Sequence, residues 1–314
     1  PPIYTLFPYT TLFRSGAKHS IYNLLRAICN PNDEVIYQAP YWVSYPEMVK
    51  LAGANSVVID AGAEVNYKIS PSQLEKAITK KTKALIFNSP SNPTGAVYNK
   101  KEIHELAEVL KGKNIWIISD EIYEKIIFDD EQHFAIAAID ELKDWAITVN
   151  GVSKSFAMTG WRIGYAAGNR EVIRLARNLQ SHSTSNPCSI SQAAVVAALT
   201  VSSTEVGEMV VKFQERRNFI VNELNKIDGI KCPTPKGAFY VFFDVSNYYG
   251  KENHGKVIND SSSLCSYLLE SELVGLVPGI AFGNDNCVRM SYACSMEDIA
   301  EGIKRIKKAL SLLK

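Results

Sequence analysis

The sequence predicts an α/β fold, a mostly parallel sheet with helices on both faces, followed by a smaller α+β domain. Three observations carry this. Short apolar runs such as residues 83–88 and 115–119 lack a polar/apolar alternation, so they suit strands buried on both faces. Segments with helical spacing separate these runs, which is the pattern of a parallel sheet with crossover helices. After Asn169 that alternation stops, and three successive helices give way to mixed strands and helices.

In chain order, Ile21, Leu24, Leu25 and Ile28 follow helical spacing from Ser20, and residues 30–33 stop that helix. Residues 34–38 read as a strand, 42–52 as a helix and 56–59 as a strand. Ser70 is an N-cap with Pro71 at the first helical position, opening a helix to residue 78. The buried strand 83–88 follows, and Asn99 with Glu102 starts a helix through residue 110. Strands are expected over 115–119, 146–149 and 163–167. Helices are expected over 169–180, 189–200 and 205–227, the last long enough to bridge two domains. The remainder predicts a strand over 238–245, a helix over 262–270, strands near Val274 and over 288–292, and a closing helix. Ser295 and Asp298 open that helix, while Lys307, Lys308 and Lys314 suit the negative end of its dipole. Residues 16–222 therefore read as a large domain and 223–314 as a small one.

A chain of 314 residues, 46% hydrophobic and 21% charged, is long enough for two domains. Its 34 basic and 33 acidic side chains leave a net charge of +1, which gives no footprint for nucleic acid or an anionic membrane. Six scattered cysteines form no C-x-x-C pair, so reduced thiols in a cytoplasmic protein are expected rather than a disulfide framework. No apolar run approaches the ~20 residues of a membrane span. Residues 5–15 do not read like the rest, and they match the translation of a widely used sequencing-adapter oligonucleotide. Residues 1–15 are accordingly expected to be an artefactual tail, with the natural N-terminus missing and this chain as written poorly active or unstable. A native strand is expected to lead into Gly16, and Pro8 suits a central strand poorly. A genuine apolar N-terminal arm is the rival reading.

Lys154 follows the apolar run 145–149 and is flanked by small residues. A lysine at a strand end, with little space taken by its neighbours, suits a cofactor aldehyde that condenses with its amine. Eight positions later Arg162 stands between Gly160 and Gly164. Its guanidinium and the Ser153 hydroxyl offer directed donors to an anchoring phosphate. The run Gly16, Ala17, Lys18, His19, Ser20 leads into a helix start, where backbone N–H groups bind phosphate well. A surface side chain is the plain alternative for Lys18. Asn92 lies between proline turns at the end of a parallel strand, where ligands of such sheets are expected. Asp120 ends the next apolar strand, a costly position unless something cationic meets it. A helix cap is the alternative for Asp120, and core packing for Tyr123 and Trp42. Glu121 reads as solvated or structural. Arg289, alone among apolar neighbours in the strand 287–292, calls for a bidentate anion or a structural ion pair.

In this order and with these spacings, the motifs resemble those of the class I/II aminotransferases, the fold-type I pyridoxal-phosphate enzymes. The resemblance covers residues 16–314 and is nearest to bacterial aspartate aminotransferases. It implies a seven-stranded sheet in the large domain, pyridoxal 5′-phosphate as cofactor and Lys154 as its covalent anchor. It also implies that Gly16, Ala17, Lys18, Ser153 and Arg162 surround the phosphate. Asn92 and Tyr123 would serve the phenolic oxygen, Trp42 would stack on the pyridine ring, and Asp120 would meet the protonated ring nitrogen and keep the ring an electron sink. Arg289 would clamp the substrate α-carboxylate, Lys18 would approach a distal carboxylate, and the segment Gly237, Ala238, Phe239 and Tyr240 would line the site from the small domain. The implied reaction is ping-pong transamination between an L-amino acid, aspartate foremost, and a 2-oxo acid, 2-oxoglutarate foremost. Aromatic, prephenate or alanine transamination shares the scaffold, as does a lyase or synthase. A cofactor-sensing transcription factor would need a DNA-binding module that nothing in these residues supplies. A homodimer with sites at the subunit boundary, and no metal, follow from the same resemblance.

Overall fold

The buried apolar runs pair into a seven-stranded sheet in the computed structural model, which describes residues 11–200 and 204–314. Its elements are β1 (Thr11–Arg14), α1 (Ala17–Ile28), β2 (Glu34–Ala39), α2 (Ser44–Leu51), β3 (Asn55–Asp60) and α3 (Pro71–Ala77). They continue with β4 (Thr82–Asn88), α4 (Lys100–Leu110), β5 (Trp116–Asp120), β6 (Ala146–Gly151), β7 (Gly164–Ala167) and α5 (Arg170–Ser181). The strand order is β1-β7-β6-β5-β4-β2-β3. Strands β2 to β6 run parallel, whereas β7 is antiparallel to β6 and β1 to β7.

Adjacent residues in the central strands point to opposite faces, and each face finds its own helices. Val35, Ile86, Ile118 and Ile147 pack with Leu24 and Leu25 of α1, Val49 of α2 and Ile173 of α5. Their neighbours Ile36, Leu85 and Ile117 pack on the other side with Leu74 of α3 and Ile103, Leu106 and Leu110 of α4. The helices on that second face start where expected. Ser70 with Gln73, and Asn99 with Glu102, form reciprocal capping boxes at α3 and α4.

The sheet register positions the site. Asn88 at the end of β4 lies opposite Asp120 at the end of β5, Asp120 lies opposite Val149, and Gly151 of β6 lies opposite Gly164 of β7. The segments carrying Asn92, Tyr123 and Lys154 therefore leave the same edge of the sheet, the carboxyl ends of its parallel strands.

The remaining elements are α6 (Ser189–Thr200), α7 (Thr204–Leu224), β8 (Tyr240–Asp244), β9 (Glu252–Asn253), β10 (Lys256–Val257), α8 (Ser261–Glu272), β11 (Val277–Pro278), β12 (Cys287–Ser291) and α9 (Met296–Ser311). Strands β11, β12 and β8 form an antiparallel sheet. Val241, Phe243 and Val288 pack there with Ile220 of α7, Leu264 of α8 and Ile303 of α9. Ile122, Tyr123, Ile126 and Phe128, just after β5, belong to the same core. Buried Arg217 of α7 fastens this join by donating 2.9 and 2.8 Å bonds to the Asp129 carboxylate and a 3.1 Å bond to the Pro235 carbonyl.

Several expectations need adjustment. Helix α2 begins at Ser44, so Trp42 precedes it, and α7 ends at Leu224. The strand expected near Val274 is displaced to Val277–Pro278, because α8 ends in a left-handed turn at Leu273 and Val274 is buried after it. Of the stretch read as an artefactual tail, residues 1–10 lie outside the described residues, while Thr11–Arg14 pairs with β7 as the edge strand leading to Gly16. All six cysteines are free thiols. Among the described residues no single helix is long and apolar enough to cross a membrane.

Candidate active site

Three glycines bring one end of the site together. Gly16, with φ 86°, precedes α1, and no side chain caps that helix start. A Cβ on Gly16 would lie 2.5 Å from Nη2 of Arg162, and one on Gly164 would lie 2.3 Å from the Ala17 nitrogen. A Cβ on Gly151 would lie 2.9 Å from the Gly164 Cα. The absence of these atoms lets β6, β7 and the α1 N-terminus pack in direct contact. Arg162 closes the corner in a left-handed conformation, donating from Nη1 to the Thr159 carbonyl at 2.8 Å and from Nη2 to the Ser15 carbonyl at 3.1 Å. A helix N-terminus and a guanidinium thus share one corner, although 146 residues separate Gly16 from Arg162. Such a corner attracts a phosphate-sized anion.

Lys154 stands beyond this corner, half-buried between buried Ser153 and Ser155. The Ser155 hydroxyl has no hydrogen-bond partner. Burial lowers the pKa of Lys154 from the usual lysine range, Arg289 and then Arg162 lower it further, and Asp120 opposes them. The amine lies 5.4 Å from the centre of the Phe239 ring and 5.9 Å from that of Tyr123.

Asp120 is buried at the end of β5, and burial raises its carboxyl to about pKa 6. The Tyr45 hydroxyl, which donates to Oδ2 at 2.7 Å, and the Ile122 N–H, which donates to Oδ1 at 3.3 Å, limit that rise. Sequence reasoning gave Tyr45 no role, although it lies in the stretch 39–46 around Trp42, whose ring it meets edge-on at 5.4 Å. Trp42 is half-buried, and exposed Lys18 places its ammonium 5.0 Å from the Trp42 ring centre.

Asn92 is held by its neighbours. Asn88 accepts from the Asn92 N–H at 3.1 Å and donates from Nδ2 to the Asp120 carbonyl at 2.8 Å, tying the loop to β5. The Asn92 side-chain oxygen accepts from Nη1 of Arg289 at 2.9 Å. Arg289, on β12, lies over Tyr240 at 4.4 Å and Phe282 at 4.8 Å, and its buried Nε has no partner. Tyr240, which the sequence placed in the segment lining the site without a role of its own, has its hydroxyl 3.0 Å from that of Tyr123. Phe239 packs edge-on against Tyr123 at 5.5 Å. Glu121 is buried rather than solvated, accepting from Ser119 at 2.8 Å and pairing with His133 at 2.9 Å.

The fold therefore gathers an anion corner, an amine of lowered pKa, a buried carboxyl of raised pKa and an arginine with an unused donor. A family model described as aminotransferase class I and II matches residues 5–306. The chain belongs to that family. The bifunctional aspartate aminotransferase and glutamate/aspartate-prephenate aminotransferase of Petunia hybrida is 46% identical over 312 residues, 98% of this chain and 65% of its own length. The Bacillus subtilis aspartate aminotransferase is 46% identical over 302 residues, 96% of this chain and 76% of its own. A crystal structure of the Rhizobium meliloti aspartate aminotransferase has a TM-score of 0.94 at 41% identity, covering 98% of this chain and 77% of that one. The structure of Thermus thermophilus aspartate aminotransferase with maleate has a TM-score of 0.88 at 39% identity, covering 96% and 76%. The chain thus spans about two thirds of the petunia relative and three quarters of the others.

Proposed function

We propose that this aminotransferase-family protein transfers the amino group of L-aspartate to a 2-oxo acid, 2-oxoglutarate foremost, with pyridoxal 5′-phosphate as cofactor. One observation carries the reading. The Lys154 amine, of lowered pKa, is electrostatically coupled at once to the buried Asp120 carboxyl of raised pKa, to Arg162 of the anion corner and to Arg289 with its free buried donor. These groups fit a phosphorylated pyridine aldehyde at both ends, and the orphaned Ser155 hydroxyl and Arg289 Nε leave polar capacity for ligands. Bound there, pyridoxal phosphate supplies an aldehyde for covalent attachment and an electron sink for the charge left when the Cα proton departs.

The chain's own residues supply the remainder. The α1 N-terminus at Gly16 and Ala17, with Lys18, Ser153 and Arg162, holds the phosphate. Asp120, kept in place by Tyr45 and the Ile122 N–H, meets the ring nitrogen. Trp42 covers the ring, and Asn92 and Tyr123 serve its phenolic oxygen. Arg289 orients the substrate through its α-carboxylate, and Phe239 helps to exclude water. Nζ of Lys154 takes the Cα proton and returns it to the carbon on the far side of the amino nitrogen, and its lowered pKa increases the fraction of neutral amine able to do so. Lys18, beside Trp42, supports a substrate with a second carboxylate. The relatives named for aspartate, and the Thermus enzyme's structure with the dicarboxylate maleate, support the same choice. The petunia name keeps prephenate as the second reading.

The reading includes a large domain over 16–222 and a small one over 223–314, with α7 between them. It also includes a cytoplasmic homodimer, supported by the six free thiols and by helix α6. That helix is apolar on all sides, yet only Ser191 and Val195 are buried, leaving Ile190, Ala193 and Ala197 exposed.

The test is a panel of amino donors with 2-oxoglutarate, run on the protein and on Lys154→Ala. Aspartate-dependent glutamate formation that the variant lacks is expected. Consumption of amino acid without transfer to the oxo acid would indicate a lyase and overturn the reading.

A further inference from the structure

We infer that Tyr240 is a positioning residue whose ring holds Arg289 and whose hydroxyl holds Tyr123, so that the carboxylate clamp and the phenolic-oxygen tyrosine share one support. This rests on the reading above, and the sequence motif that contains Tyr240 gave that residue no role of its own.

The sheet register dictates the first contact. Tyr240 on β8 lies opposite Ser291 on β12, and Arg289 is two residues from Ser291 on the same face. Tyr240 and Arg289 are therefore diagonal neighbours, close enough for a long side chain to cover a ring. The guanidinium carbon sits 4.4 Å from the Tyr240 ring centre and 4.8 Å from that of Phe282. These two rings and the Asn92 oxygen fix the guanidinium and leave Nε unused.

The second contact is the 3.0 Å pair of hydroxyls, both buried. Only one of them can donate to the other. Burial raises both pKa values, so both hydroxyls stay protonated. Tyr123 needs its own proton for the phenolic oxygen in the reading above, so Tyr240 donates and Tyr123 accepts. That arrangement frees the Tyr123 proton to point elsewhere, and an accepted bond makes it a stronger donor in turn. The other charged or titratable groups acting on Tyr123 are Asp120 and Arg289, with the Lys154 amine near its ring.

The experiment uses the protein loaded with pyridoxal phosphate. It follows the pH midpoint of the visible absorbance of the Lys154-bound cofactor, and the dissociation constant of maleate. Tyr240→Phe keeps the ring and loses the hydroxyl. Its spectral midpoint is expected to rise by about half a pH unit, because the ionised phenolic oxygen loses part of its support, while maleate binding stays within about threefold of the parent. Tyr240→Leu also loses the ring, and maleate binding is expected to weaken about tenfold. In a Tyr123→Phe background, Tyr240→Phe is expected to leave the midpoint where Tyr123→Phe alone puts it. An unshifted midpoint in Tyr240→Phe, or a full shift without Tyr123, would overturn the hydroxyl role. Parental maleate affinity in Tyr240→Leu would overturn the ring role. A parent lacking any visible band that Lys154→Ala abolishes would instead overturn the underlying reading, and this inference with it.

Discussion

Asp120 is the residue whose chemistry is most at odds with its place in the fold. It ends a strand of isoleucines and is buried, and the cofactor-free chain gives it hydrogen-bond donors rather than a full counter-charge. Its carboxyl rises from 3.8 to about 6 through burial. Between those values the native state holds a proton that the unfolded chain has lost, so stability falls as pH rises through this window. The loss amounts to about 1 kcal/mol between pH 5 and pH 7 for a shift of that size. Asp120→Asn removes the titration. Denaturant unfolding of the cofactor-free proteins should therefore show the variant gaining about 1 kcal/mol on the parent from pH 5 to pH 7, while it fails to support amino transfer. A parent–variant difference that does not change with pH would show that Asp120 titrates as in the unfolded chain.

At the scale of elements, the join between α1 and β7 decides whether the anion corner exists. Its glycines were visible in the sequence as flanks of Arg162 and as a helix entrance, but their mutual contact was not, because it depends on strand order. A Cβ at Gly164 meets backbone, which cannot rotate away as a side chain could. Gly164→Ala should push the start of α1 off β7, lowering stability by about 2 kcal/mol and weakening pyridoxal phosphate binding at least tenfold. A thermal melt and a cofactor titration measure the two effects, and an alanine variant with parental cofactor affinity would separate this join from the corner. The capping boxes of α3 and α4 were legible for the opposite reason: each is a rule about residues three apart. The segments that carry Tyr45 and Tyr240 were legible, but the contacts of these two side chains were not. Their hydroxyls act across 75 and 117 positions and leave no periodic trace beyond that of ordinary core aromatics.

For the molecule as a whole, alternating patterns revealed the sheet and its helices, and sequence alone underestimated how tightly the two cores are joined. Ile122, Tyr123, Ile126 and Phe128 follow a strand of the large sheet yet pack in the C-terminal core, and Arg217 clamps Asp129 beside them. Helix α6 has a comparable link to the site. Its buried Val195 packs with Val152 and Ile163, the residues that bracket the Lys154 loop, and Leu199, Phe156 and Met158 pack around them. A partner seated on the outer face of α6 would therefore steady the segment that carries the lysine. A second copy of the chain suits that face, since Ile190, 72% exposed, begins an apolar stripe continued by Ala193 and Ala197. Sedimentation of the parent at micromolar concentration should give a dimer. The double variant Ile190→Glu/Ala197→Glu should weaken association at least tenfold by burying charge at the interface and should lower transamination in proportion to the monomer formed. Raising the protein concentration should restore both together. A parent that sediments as a monomer with full activity would remove α6 from the interface and leave its apolar face without the role assigned to it.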